Sequence, residues 1–360
     1  MTLKSKALFL ILHRKDRSPG QRYRHEQYVS HLEANGVECD FSPLLDANGD
    51  ELFYGSGRVL QKILIGLSAF VRRLRDMRRL KNYDMVYVYR DAFFFGTFFE
   101  RRIAKSNAKL IFDFDDAIWL MDKNPNQGVF NRLKNPKKTA KIIALADQVI
   151  VGNDYLKNYA FAYNSNVRII PSTVDFDKYT EPVKKAEGKI CIGWTGSFST
   201  IKHFETILPA LEEIKSMFGD RVCFKLIGEP NYRNETLEIE GVPWKSETEA
   251  VDLGELDIGV MPLPDNKWTR GKCAMKGLQY MALGIPTIMS PVGVNSEIID
   301  DGSNGMLART SDDWVRKLSL LIEDESLRTR IGEEGRKTAR KDFSVEANKE
   351  KWLAVFSNKS

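Results

Sequence analysis

The chain has 360 residues, 42% hydrophobic and 29% charged, with a net charge of +5, a balance that excludes the disordered and fibrous classes. One hydrophobic core serves roughly 100 to 200 residues, so this length calls for two domains. Residues 1–180 hold 29 Lys and Arg against 20 Asp and Glu, residues 181–360 hold 25 against 29, and the basic first half is expected to face something anionic.

The N-terminal MTLKSKALFLILHRK has a basic start and a short apolar run with no small-residue cleavage site after it; it reads as a first strand and not as a signal peptide. The runs VECDFS (37–42), MVYVYR (85–90), KLIFDF (109–114), QVIVGN (148–153) and VRIIP (167–171) follow, each separated from the next by polar or helical patterns. Continuous apolar runs of this kind indicate a buried parallel sheet. After a polar, non-periodic join at 173–189, the rhythm repeats with KICIGWTG (189–196), VCFKLIGE (222–229), IGVMPL (258–263) and TIMSPVG (287–293). Ile207, Leu208, Leu211 and Ile214 form a helical stripe with Gly219 as its stop. Two α/β domains in tandem result, with function sought in the loops beyond the carboxyl ends of the strands.

Five stretches carry candidate chemistry. In SPGQRYR (18–24), Gly20 permits close backbone approach while Arg22 and Arg24 suit an anionic acceptor or a phosphate, Arg22 foremost; the competing reading is a capped helix with two surface arginines. RVLQKILIGLSAFVRRLRDMRRLK (58–81) has eight basic residues against one acidic, the pattern of an amphipathic helix on an anionic membrane or of a buried helix with a solvated second half. FDFDDAIW (112–119) gathers Asp113, Asp115 and Asp116, whose repulsion would raise a pKa, and Asp113-x-Asp115 also imitates a metal-binding DxD. GWTGSFSTIK (193–202) is a strand-to-helix turn suited to phosphate, carrying Gly196, Ser197 and Lys202. In RGKCAMKGLQYMALGIP (270–286), a helix is expected to start near Lys272 or Cys273, and its positive N-terminus beside Arg270, Lys272 and Lys276 makes an anion site. Two such turns in one domain fit a diphosphate.

The four cysteines form no CxxC or Cys/His spacing, which points away from disulfides and zinc and toward a reducing cytoplasm. His13, His25, His31 and His203 form no pair at ligand or triad spacing and read as structural. No nucleophile elbow, Walker loop or dinucleotide fingerprint is present, which argues against hydrolase, NTPase and dehydrogenase classes, and no aromatic-basic module supports nucleic-acid binding.

Taken together, GWTGSFSTIKHFETILPALEEI, GKCAMKGLQYMALGIPTIMSPVGVNSEII, IIPSTVDFDKY and DFSVEANKEKWLAVF resemble the GT-B glycosyltransferases, specifically glycosyltransferase family 4. The resemblance implies two Rossmann-like domains facing a central cleft, an acceptor domain at 1–175, a nucleotide-sugar domain at 176–340, and a helix at 341–360 that returns to the first domain. It implies a retaining, metal-independent hexosyltransferase that uses a UDP- or GDP-sugar, with no cofactor, and an acceptor that is a glycan or lipid-linked saccharide of surface polysaccharide synthesis, at the cytoplasmic face of a membrane. By position Lys202 matches the family's diphosphate lysine, with Ser197 where an arginine is expected. The family's two glutamates fall on Gly271 and Gln279, leaving Gln279 for the ribose. Asp115 stands where the family places a histidine near the donor sugar. The donor site is thus expected from Gly196, Ser197, Lys202, Gly228, Lys272, Cys273, Ala274, Lys276 and Gln279, with Asp115, Lys202 and Lys276 catalytic and Gly20, Arg22 and Asp116 on the acceptor side. The missing glutamates also allow a catalytically impaired nucleotide-sugar-binding or scaffold protein of the same fold.

Overall fold

A computed structural model describes residues 5–54, 59–120, 137–180 and 188–357. The chain divides into two compact units, one formed by Met1–Ser172 with Asn348–Ser360 and the other by Thr173–Ala347. The boundary lies slightly before residue 175 because Val174 is fully buried and pairs with the second unit, its N–H donating to Phe343 O at 2.8 Å. Residues 181–187 of the expected join lie outside the described residues.

The first unit contains β1 (Ser5–Ile11), β2 (Val37–Pro43), β3 (Met85–Tyr89), β4 (Lys109–Phe114), β5 (Gln148–Val151) and β6 (Val167–Ile169). They form one parallel sheet in the order β2-β1-β3-β4-β5-β6. Every residue of β3 is buried, which is why these strands read as continuous apolar runs and not as alternating ones. Phe9 lies opposite both Phe41 and Tyr87, with ring centroids 4.8 and 4.9 Å apart. The Val345–Phe356 helix closes this core: Trp352 is fully buried and stacks on Tyr28, and Phe356 stacks on Phe9 at 5.3 Å.

The second unit has β7 (Ile190–Thr195), β8 (Val222–Ile227), a two-stranded antiparallel ribbon of β9 (Arg233–Asn234) and β10 (Ile239–Glu240), then β11 (Ile258–Met261), β12 (Thr287–Met289) and β13 (Met306–Leu307). Its main sheet runs β13-β12-β11-β7-β8, parallel throughout. The predicted stripe at 207–214 packs as the Leu208–Phe218 helix, with Leu211 and Ile214 buried beside Trp314 and Leu318. A separate cluster holds Leu278, Tyr280, Met281 and Ala339. Each unit is therefore an α/β layer with a parallel sheet of its own.

Candidate functional site

In the second unit the loops after β7, β8, β11 and β12 are locked together by close backbone packing. Gly228, at φ +118°, sits where any Cβ would run into the carbonyl of Gly196, and Gly196 N–H donates to Ile227 O at 2.9 Å. Gly293, at φ +56°, lies against the backbone of Arg270. The Met275–Ala282 helix is tied to the end of β7 by Thr195 N–H donating to the buried Tyr280 hydroxyl at 2.9 Å. This helix begins later than Lys272 or Cys273, because Thr269–Gly271 is a 3₁₀ turn and Ala274 takes the left-handed conformation at φ 55°. A non-glycine residue there costs about 1–2 kcal/mol, and such strain collects at functional turns.

The expected lysines of both turns converge. His203 is buried and held down to about 4, first by its burial and then by Lys272, Lys276 and Lys202. Lys202 is exposed, whereas Lys272 and Lys276 are half-buried, as is Cys273 between them. The Lys276 ammonium lies over the Trp194 ring at 5.5 Å, and Lys272 over Trp268 at 5.6 Å. Ser197 closes the β7 turn, its N–H donating to Thr200 Oγ1 at 3.1 Å. Arg270 is bound to Asp265 through two contacts of 2.6 and 3.1 Å.

Gln279 is buried, and its Nε2 donates to the Tyr179 hydroxyl at 2.7 Å. Tyr179 in turn donates to Glu249 Oε2, and Trp244 Nε1 to Glu249 Oε1, both at 2.7 Å. Sequence reasoning missed Tyr179 and Glu249. Nothing local marks either residue: Tyr179 meets Gln279 across 100 positions, and Glu249 meets Tyr179 across 70.

In the first unit the acidic cluster is divided by its partners. Asp113 is fully buried in an ion pair with Arg24 at 2.6 Å and accepts from the Tyr87 hydroxyl. Burial outweighs Arg24 and raises its pKa. Asp115 receives Arg90 at 2.7 and 3.0 Å and the Tyr89 hydroxyl at 2.8 Å. Burial pushes it up, but Arg90 and Arg24 outweigh that and hold it below the usual carboxylate range. The raised pKa thus belongs to Asp113 and comes first from burial, with the neighbouring Asp115 carboxylate adding to it. Both carboxylates of the DxD pattern are engaged by guanidinium groups.

Gly20 lies against the Tyr89 hydroxyl, where a Cβ would stand at 2.7 Å, so Gly20, Tyr89, Arg90 and Asp115 form one neighbourhood. Asp116 is half-buried and caps its own turn through Ala117 N–H at 3.0 Å. Arg22 and Arg24 are not surface residues. Arg24 holds Asp113 and Ile170 O, and Arg22 is buried with Nη2 donating to Tyr23 Oη at 2.7 Å. The half-exposed arginines beyond β1 are Arg14 and Arg17, each within 4 Å of buried Asp50. Asp50 also accepts His13 Nδ1 at 2.7 Å, a pair formed across 37 positions that spacing could not reveal.

Residues 189–324 match the profile of the family described as Glycosyl transferases group 1. An uncharacterised glycosyltransferase of Methanocaldococcus jannaschii is 28% identical over 207 residues, 56% of each chain, so the match spans about half the length of that relative. Among solved structures, sucrose-phosphate synthase of Thermosynechococcus elongatus superposes with a TM-score of 0.73 at 15% identity, covering 98% of both chains. Anabaena HepE, in complex with UDP and glucose, gives 0.66 at 13% identity over 98% of this chain and 100% of its own. The second of the two parallel-sheet units therefore carries a group 1 glycosyltransferase domain, and the chain has the GT-B fold of these solved structures.

Proposed function

We propose that the protein is a retaining, metal-independent hexosyltransferase that takes a sugar from UDP or GDP and passes it to a glycan or lipid-linked saccharide of a surface polysaccharide, working at the cytoplasmic face. The observation that carries the reading is the convergence of Lys202, Lys272 and Lys276 around His203 at the ends of β7 and β11. A cluster of cations fixed before the ligand arrives stabilises charge as it develops on a diphosphate leaving group. Lys202 and Lys276 take the catalytic part. Gly196, Ser197 and Gly228 let the backbone approach the phosphates, and Cys273 and Ala274 open the helix whose first N–H groups favour an anion.

Gln279 is assigned to the ribose, oriented by Tyr179 and Glu249. Asp115, held by Arg90, keeps its catalytic part, and on the acceptor side the reading keeps Gly20 and Asp116, with the buried Arg22 assigned to packing. HepE, of similar fold, binds UDP and glucose, which supports a nucleotide-sugar donor. Among the described residues no helix is long and apolar enough to cross a membrane.

Calorimetry with UDP and GDP tests the donor site. Lys276→Ala is expected to weaken the preferred nucleotide by about 1–3 kcal/mol, the range for losing a charge-assisted contact, and an unchanged affinity refutes the assignment. Turnover that disappears with a chelator and returns with manganese refutes the metal-free mechanism. The impaired-binder reading is favoured by Gly271 and Gln279 standing where the family carries carboxylates, and it predicts nucleotide binding without transfer.

A further inference from the structure

The Val59–Arg79 helix presents an apolar stripe to solvent. Leu60, Leu64 and Leu67 are 79%, 64% and 58% exposed, and Val71 continues the line. Spacings of 4, 3 and 4 place these four side chains on one face. Arg75 and Arg78, both exposed, extend the same face by two turns. The stripe is not a loose flap awaiting a core of its own. On the opposite face Ala69, Arg73, Asp76 and Met77 are buried, and the Arg73 guanidinium donates to the carbonyls of Ile11, Ser42 and Ala92 at 3.0, 2.9 and 2.6 Å. Those carbonyls lie at or just past the ends of β1, β2 and β3, so one buried arginine fixes the helix across the carboxyl edge of the sheet.

A second segment completes the surface. Phe70 packs edge-on to Phe93 and Phe99 at 5.6 and 5.4 Å, and from that junction Phe95 and Phe98 emerge exposed, Phe98 by 53%. Eight of the fifteen exposed large hydrophobic side chains among the described residues belong to this helix and loop. Contiguous apolar surface of this kind on a folded unit marks a docking face.

We propose that the Leu60–Val71 stripe with Phe95 and Phe98 inserts into the interfacial layer of an anionic bilayer, with Arg75 and Arg78 on the lipid headgroups. Charge complementarity decides the occupant. The exposed face turns from leucine to arginine along one helix, in a half of the chain that carries 29 basic against 20 acidic residues, and apolar insertion joined to basic headgroup contact is how such helices lie on membranes. A second copy of the chain would set Arg75 and Arg78 against its own basic surface. The inference rests on the transferase reading only for what the bilayer would bring, a lipid-linked acceptor held beside the strand ends of the first unit.

Co-sedimentation of the full chain with phosphatidylglycerol and with phosphatidylcholine vesicles tests it without turnover. The protein is expected to pellet with the anionic vesicles and to be released in part by high salt. Leu64→Glu with Leu67→Glu, both on the exposed face, should lower partitioning at least tenfold while circular dichroism and UDP affinity stay unchanged; Arg75→Ala with Arg78→Ala should remove the preference for anionic lipid. Wild-type protein that remains in the supernatant overturns the proposal, as does a dimer in sedimentation equilibrium that the double glutamate variant disperses. Failure here leaves the donor-site calorimetry standing, and failure there leaves the vesicle result standing.

Discussion

His203 reports on the site that surrounds it. Its imidazole is neutral at pH 7 because burial and three lysines disfavour the cation and hold it near 4, below the ordinary value of about 6.5. The folded state therefore binds fewer protons than the unfolded one between these values, so the stability this residue contributes is present above pH 6.5 and is lost as the pH falls toward 4. A bound diphosphate would neutralise the lysines and reverse part of the shift. The His203 ring resonances should titrate at higher pH when UDP is bound, and also in Lys272→Ala without ligand; a titration indifferent to both would separate the lysines from the nucleotide. The position was legible as structural in the sequence, since nothing in its spacing names a partner. The lysines were legible for a different reason: they fall in the turns after two strands, where an α/β domain places its ligand.

At the level of elements, the apolar strands of both sheets were readable because a strand buried on two faces has no need to alternate. β13 and the β9–β10 ribbon are only two residues per strand and leave no periodicity to detect. The start of the Met275–Ala282 helix was misplaced because alanine gives no local sign of a left-handed backbone, which here is imposed by packing around Ala274. The Gln279–Tyr179–Glu249 chain was out of reach for the same reason, being assembled from three elements. Glycine contacts give the sharpest test at this level. Gly228→Ala combines a positive φ with a collision against Gly196 O, whereas Gly219→Ala, at φ +53°, meets no atom within 4 Å. Strain alone costs about 1 kcal/mol, so Gly219→Ala should lose stability only, while Gly228→Ala should lose at least tenfold in nucleotide affinity as well. Equal behaviour of the two variants in thermal unfolding and UDP titration would contradict the locked-loop account.

For the whole molecule, the division into units does not follow chain order. Trp352 and Phe356 fill the core of the first unit although every residue of the second unit precedes them. Trp352→Ala is expected to destabilise the first unit by about 3–5 kcal/mol, the cost of truncating a buried tryptophan. Calorimetric scans with and without UDP should show the transition of the first unit lowered and the ligand-stabilised transition of the second retained; loss of nucleotide binding instead would mean that the units do not unfold separately. The two-domain plan was legible from length and repeated strands, and the returning helix only through family resemblance, since the VEANKEKWLAVF pattern does not say which core it joins.

The late arrival of that helix has a consequence for synthesis. Domains emerge from the ribosome in order and generally fold as they appear, yet the first unit cannot bury Phe9, Tyr28 and Tyr87 until Trp352 and Phe356 have been translated. A ribosome that stalls anywhere in residues 173–347 thus leaves an unclosed aromatic core, a substrate for chaperones and proteases, on a unit most of whose residues have already been made.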